Sequence, residues 1–193
     1  MKKYLLLLCA IAACSGSFAQ KSKKKSTKGK AKTTATKTLA TSGDMKAEAG
    51  NGFLVFYLTK TDTVHARTLG GTVSDVKITP FTSGGAKLCS LSWTEKKKVG
   101  ELKTKLEEST SVRTEIYDPA TKANLFTNTK TDTDITEVVF LDKVKVVSET
   151  QYKKRHEGMD LTITPAGDLI VKGKSSETKY VYNADQKKFL NKK

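Results

Sequence analysis

From position 53 to position 190 the apolar residues come in short runs that alternate with polar ones at period two, and turn-forming residues break the runs at intervals of roughly 8–12 positions. Such a chain buries its apolar side chains by pleating, which predicts a mainly β fold. Residues 53–58 (FLVFYL) are a continuous apolar run between Gly52 and Thr59, read as a strand buried on both faces. Cys89, Leu91 and Trp93 share one face of a later run, and Val112, Thr114 and Ile116 alternate with Arg113, Glu115 and Tyr117. Residues 64–69, 72–79, 138–140, 144–147, 161–164 and 169–171 continue the pattern.

Turn chemistry supplies the connections. Gly70-Gly71 fits a two-residue hairpin between its flanking runs, and residues 164–168 (TPAGD) form a turn between two short strands. Residues 117–122 (YDPATK) and 182–187 (YNADQK) match in kind: a Tyr ends the strand, then an Asp or Asn can bond the backbone two residues on. One segment breaks the period. Over residues 95–108, Val99, Leu102 and Leu106 recur at helical spacing with Glu101 and Lys105 as an i,i+4 pair, although Gly100 weakens a helix by about 1 kcal/mol. The expectation is an antiparallel sandwich or barrel of about nine strands with one short helix covering an edge.

Ahead of this domain, Lys2 and Lys3 precede eleven apolar residues (4–14) and a small-residue stretch ending at Ala19, the three-part pattern of an export signal. The apolar stretch is shorter than the roughly 20 residues that span a bilayer. Ser17 and Ala19 put small side chains at the −3 and −1 positions before Gln20, and residues 17–20 (SFAQ) look like the leader ends of many exported bacterial proteins. Residues 11–14 (IAAC) also resemble the lipobox of bacterial lipoproteins, departing at two positions from its commonest form, LAGC. That resemblance implies acylation of Cys14 and attachment to a membrane. Cleavage after Ala19 is the leading expectation and lipidation at Cys14 its alternative. Either way the destination is outside the cytoplasm: periplasmic or secreted, or lipid-anchored, with no transmembrane span in the mature chain.

The net charge of +15 is unevenly spread. Residues 20–44 carry eight lysines against Asp44, which with Lys2 and Lys3 leaves +6 for residues 45–193. Lys, Thr, Ser, Ala and Gly dominate residues 20–45, which cannot bury enough surface to offset the entropy of ordering. The organisation expected is therefore a signal peptide (1–19), a disordered linker (20–45) and a single β-rich domain (46–193). The linker's lysines suit an anionic envelope surface or acidic polysaccharide. No aromatic residue lies among them to stack on bases, which argues against nucleic acid. A chain cut after Ala19 keeps only Cys89, so no intramolecular disulfide helps to hold the fold.

The residues name no reaction. There is no nucleophile elbow, no phosphate loop, no dinucleotide fingerprint and no Cys-x-x-Cys pair. Residues 156–160 (HEGMD) fail the zinc-protease pattern, because Asp160 stands at the second ligand position and Gly158 opposes a helix. They read as a polar loop, His65 as an exposed strand residue, and Cys89 as a buried apolar one. Asp132, Asp134, Glu137 and Asp142 read as a solvated acidic loop without the glycine and terminal glutamate of a calcium loop. Neither cofactor nor metal is expected. Tyr180 and Tyr182, with Tyr117 and Trp93, are candidates for an aromatic ligand face, though packing is the commoner use of such rings. The leading expectation is a non-enzymatic envelope module that binds an unidentified protein or polymer. The alternatives are a small exported hydrolase drawing paired carboxylates from Glu115, Asp118, Asp132 and Asp134, or a lipid carrier with an internal cavity.

Overall fold

The computed structural model describes residues 36–59 and 62–192, except for the side chains of residues 63–66. The leader, with Cys14 and Ala19, and residues 20–35 of the expected linker lie outside the described residues. The described chain is β throughout. Thirteen strands run in order: β1 Lys37–Ser42, β2 Met45–Gly50, β3 Phe53–Tyr57, β4 Thr63–Thr68, β5 Thr72–Ser83, β6 Ala86–Glu101, β7 Lys105–Asp118, β8 Ala123–Phe140, β9 Ser148–Gly158, β10 Asp160–Ile163, β11 Leu169–Lys172, β12 Glu177–Asn183 and β13 Lys188–Lys192. No helix occurs among the described residues, and none is therefore long and apolar enough to cross a membrane.

Each strand pairs antiparallel with its sequence neighbour, in three sheets: β1–β4, β5–β9 and β10–β13. The central sheet organises the core through the alternation of its side chains. One face of β6 and β7 presents Cys89, Leu91, Trp93 and Tyr117 to Ala47, Leu54, Phe56 and Leu58 of the N-terminal sheet and its border. The opposite face presents Leu88 and Ile116 to Leu169, Tyr182 and Phe189 of the C-terminal sheet. Adjacent residues such as Leu88 and Cys89 thus enter different cores, which is why both faces of this half of the sheet are apolar or buried.

The other half differs. Residues 96–101 of β6 are exposed throughout, as is every residue of β9 except Gln151. Here cross-strand ion pairs and hydroxyl contacts replace an apolar core: Lys98–Glu108, Lys154–Asp134, Ser109–Thr133 and Ser111–Thr131. Ile135 is buried in this half, with Glu107 of β7 and Lys153 of β9 directly opposite it in register.

Several expectations are corrected. The helix over residues 95–108 is a hairpin, β6 and β7 paired without a break from Cys89↔Tyr117 to Glu101↔Lys105. Of the three residues that suggested it, Leu106 is buried in the sheet, while Val99 and Leu102 face solvent. Three apolar residues make too short a stripe to hold an isolated helix, whereas β7 gains a full ladder on each side, with β6 and β8. Gly70-Gly71 closes no hairpin: β4 ends one sheet and β5 begins the next. Gly71 passes so close to β6 that a Cβ would sit 2.0 Å from the Lys96 carbonyl oxygen. Residues 37–42, assigned to the linker, form β1, whose Leu39 and Ala40 pack on the first core. Residues 144–147 are a loop rather than a strand, and the acidic run 132–137 is strand β8 rather than a loop. Residues 53–58 bury only alternate side chains, with Phe53 exposed.

Candidate functional site

The central sheet ends at β9, an edge strand carrying Lys153, Lys154 and Arg155, and the chain turns through Gly158 and Met159 into the C-terminal sheet. The corner between them holds a cleft of about 570 Å³. Lys130 from β8, Lys154 and His156 from β9, Lys172 from β11 and Lys174 from the following turn line it. Asp160 is the acidic residue in that lining, and it is occupied: Lys130 Nζ donates to its Oδ1 at 2.9 Å. His156 Nδ1 lies 2.6 Å from Asp132 Oδ1, and Lys154 Nζ 3.3 Å from Asp134 Oδ1. The His156 bond holds the Asp132 carboxyl below its usual range. Lys172 and Lys174 have no carboxylate within ion-pair distance among the described residues. The corner therefore offers the ammonium groups of Lys172 and Lys174, neither within ion-pair distance of a carboxylate among the described residues, beside Lys130, Lys154 and Arg155, each paired with a carboxylate, an arrangement suited to an anion.

A second polar site is internal. Glu115 is fully buried, yet it lies between Arg67 of β4 and Arg113 of its own strand. Arg67 reaches Glu115 Oε1 at 2.6 Å through Nη2 and 2.8 Å through Nε; Arg113 Nε reaches it at 3.0 Å; Tyr117 Oη donates to Oε2. Burial first, and then the bond to Glu115, pushes the Tyr117 hydroxyl pKa far up. Arg113 also lies over the Trp93 ring, 5.7 Å from its centre. This constellation joins two sheets, and its carboxylate is fully engaged.

The carboxylates considered for hydrolysis do not converge. Asp118 caps its own turn, accepting from Ala120 N at 2.9 Å and Thr121 Oγ1 at 2.7 Å. Asn183 also bonds its own turn, but it accepts from Gln186 N, three residues on rather than two, at 2.8 Å, so the two turn sequences share a capping side chain and not the same bond. Asp132, Asp134 and Glu137 face His156, Lys154 and Lys153 across β8 and β9. Among the described residues no cluster has the makings of a metal site. Residues 156–158 lie in β9, which removes the polar loop expected there. His65 pairs with Phe56 in the first sheet; its side chain lies outside the described residues.

The aromatic candidates take part in the two cores. Tyr182 is buried with its ring centre 5.3 Å from that of Phe189, and Tyr180 stacks edge-on against Phe126 at 5.2 Å. Trp93 and Tyr117 belong to the first core. Arg67, Lys172 and Lys174 had carried no expectation. Arg67 is brought to Glu115 from another sheet, and the two lysines were indistinguishable in sequence from solvated surface charge.

Cys89 is fully buried, and burial pushes its thiol up to about 12 from 9.0. The folded state therefore keeps a proton that the unfolded thiol loses near pH 9, so this group's stabilisation is complete below that pH and fades as pH climbs toward about 12. An aromatic disulfide reagent at about pH 8 should leave the native thiol unmodified and titrate one thiol per domain in denaturant. Rapid labelling of the native protein would contradict this burial.

Compared with protein-family models, curated proteins and solved structures, the chain matches none.

Proposed function

We propose that this chain is an exported protein of the bacterial envelope, a non-catalytic binding module tethered by its lysine-rich N-terminal segment. The leader pattern over residues 1–19 supports export, and the two apolar cores on either side of the central sheet support a folded body that carries the binding surface. The observation that carries the assignment is the basic corner between β9 and β11, where Lys172 and Lys174 stand without carboxylate partners among the described residues. Its ligand is an acidic polysaccharide. Hydrolysis is disfavoured because Glu115, Asp118, Asp132 and Asp134 are each engaged by a cation or by their own turn.

Heparin serves as the probe. The Lys172→Ala/Lys174→Ala double variant should bind it several-fold to tenfold more weakly at low salt, since each exposed charge contributes roughly 0.2–1 kcal/mol. Removing the lysines of residues 21–32 instead should leave part of the affinity intact. Equal affinity of the double variant and the parent would place all the binding in the linker and remove the corner from consideration.

A further inference from the structure

The far end of the central sheet presents a second surface, independent of the basic corner. The β6–β7 turn and the β8–β9 loop emerge at the same end, because Lys105, the first residue of β7, pairs with both Glu101 and Glu137. β8 and β9 continue three residues past that point, to Phe140↔Ser148, which carries their loop about 10 Å further out. The two connections display Leu102, Leu141, Val144, Val146 and Val147, all exposed; Val144 is 77% and Val146 78% accessible.

This exposure is built into the loop. Asp142 turns its carboxylate inward, accepting from Val146 N at 2.9 Å and Val147 N at 3.1 Å. Leu141 N donates to the Val147 carbonyl at 2.9 Å, and Lys145 N to the Asp142 carbonyl at 3.3 Å with Lys145 in the left-handed region at φ +57°. The acid is thus spent on the backbone, while the valines on either side of Lys145 point away from every core.

Lysines surround these aliphatic residues. Lys98, Lys105 and Lys153 are paired with Glu108, Glu107 and Glu137. Lys103, Lys143 and Lys145 have no carboxylate partner among the described residues, and Lys145 Nζ lies 5.7 Å from the Phe140 ring centre. Protein-binding hot spots favour Trp, Tyr and Arg seated in pockets. A projecting turn of Val, Leu and Lys instead matches the interface of an anionic bilayer, where aliphatic side chains enter below the headgroups and flexible ammonium groups meet lipid phosphates.

We propose that this tip, residues 101–105 with 140–148, docks on an anionic lipid surface by inserting Leu102, Leu141, Val144 and Val146 while Lys103, Lys143 and Lys145 contact lipid phosphates. The test is co-sedimentation with vesicles of phosphatidylglycerol and phosphatidylethanolamine, against phosphatidylcholine alone, with every variant in the same N-terminal form as the parent. Val144→Asp/Val146→Asp should bind the anionic vesicles at least about tenfold more weakly with an unchanged melting temperature. Lysine adhesion through the N-terminal segment alone predicts no difference between the two proteins, and that result would overturn the proposal. The Val146→Trp variant adds a positional readout, because the single native Trp93 is buried and gives a constant background. Its emission should shift to the blue and be quenched by brominated lipid; an unshifted spectrum counts against insertion. Self-association of the parent that the double aspartate variant abolishes, without vesicle binding, would assign the tip to a second copy of the chain instead.

Discussion

Glu115→Ala should lose about 3–5 kcal/mol of folding stability, measured by urea or thermal unfolding. The carboxylate is wholly buried, and it is the shared acceptor for Arg67, Arg113 and Tyr117. Its removal strips the Tyr117 hydroxyl of its acceptor inside the first core and leaves two guanidinium groups facing each other. Both arginine side chains retain 32% of their exposure, so they can partly resolvate, which keeps the loss near the lower end of that range. Glu115→Gln keeps the volume and an acceptor oxygen, and should lose less, about 2 kcal/mol. Arg67→Ala alone should be milder than Glu115→Ala, because Arg113 still neutralises the carboxylate. Replacing Arg67, Glu115 and Arg113 together by leucine should recover much of the deficit, since apolar packing often matches a buried ionic cluster. A Glu115→Ala protein within about 1 kcal/mol of the parent would mean that the carboxylate does not hold the two sheets together.

The same cluster marks where sequence reading stops. Alternation separates Arg113, Glu115 and Tyr117 from Val112, Thr114 and Ile116, but it does not say what covers either face. In a sheet covered on both sides the polar set can be buried too: Glu115 and Ile116 are both fully buried, on opposite faces. The strand through Cys89, Leu91 and Trp93 was legible because its apolar face meets an apolar sheet. The turns at Asp118, Asn183 and Thr164 were legible because their chemistry is local. Failures came where the deciding partner lies far along the chain. Gly70-Gly71 resembles a hairpin turn until β6 is seen passing over it, and the acidic run of β8 resembles a loop until β9 supplies His156, Lys154 and Lys153 opposite. The basic corner was out of reach for the same reason, being assembled from β8, β9 and β11. Residues 144–147 differ: they have the composition of a strand, and it is the neighbouring Asp142 that folds them into a loop.

Gly158→Ala is the second substitution expected to act strongly, by about 3 kcal/mol or more, because backbone strain and overpacking each contribute roughly 1–3 kcal/mol. Gly158 has φ +81°, and a Cβ there would sit 2.1 Å from the Thr129 carbonyl oxygen and 3.1 Å from Lys130 Cα. Neither atom belongs to a flexible side chain, so β9 must move away from β8 to make room. Asp160 begins β10 two residues later, and the displacement would pull it from Lys130 across the basic corner. Gly43→Ala is the matched control. Gly43 has a similar φ of +60° but nothing within 4 Å of its Cβ position, so it pays only the backbone penalty of about 1–2 kcal/mol. The gap between the two variants measures the close approach of β9 to β8 at the point where the chain changes sheets. The Gly158→Ala protein should also bind heparin more weakly than the Gly43→Ala protein at a temperature where both are folded, because only the first substitution disturbs the wall of the corner. Equal stabilities and equal heparin affinities for the two variants would contradict both the tight crossing and the dependence of the anion site upon it.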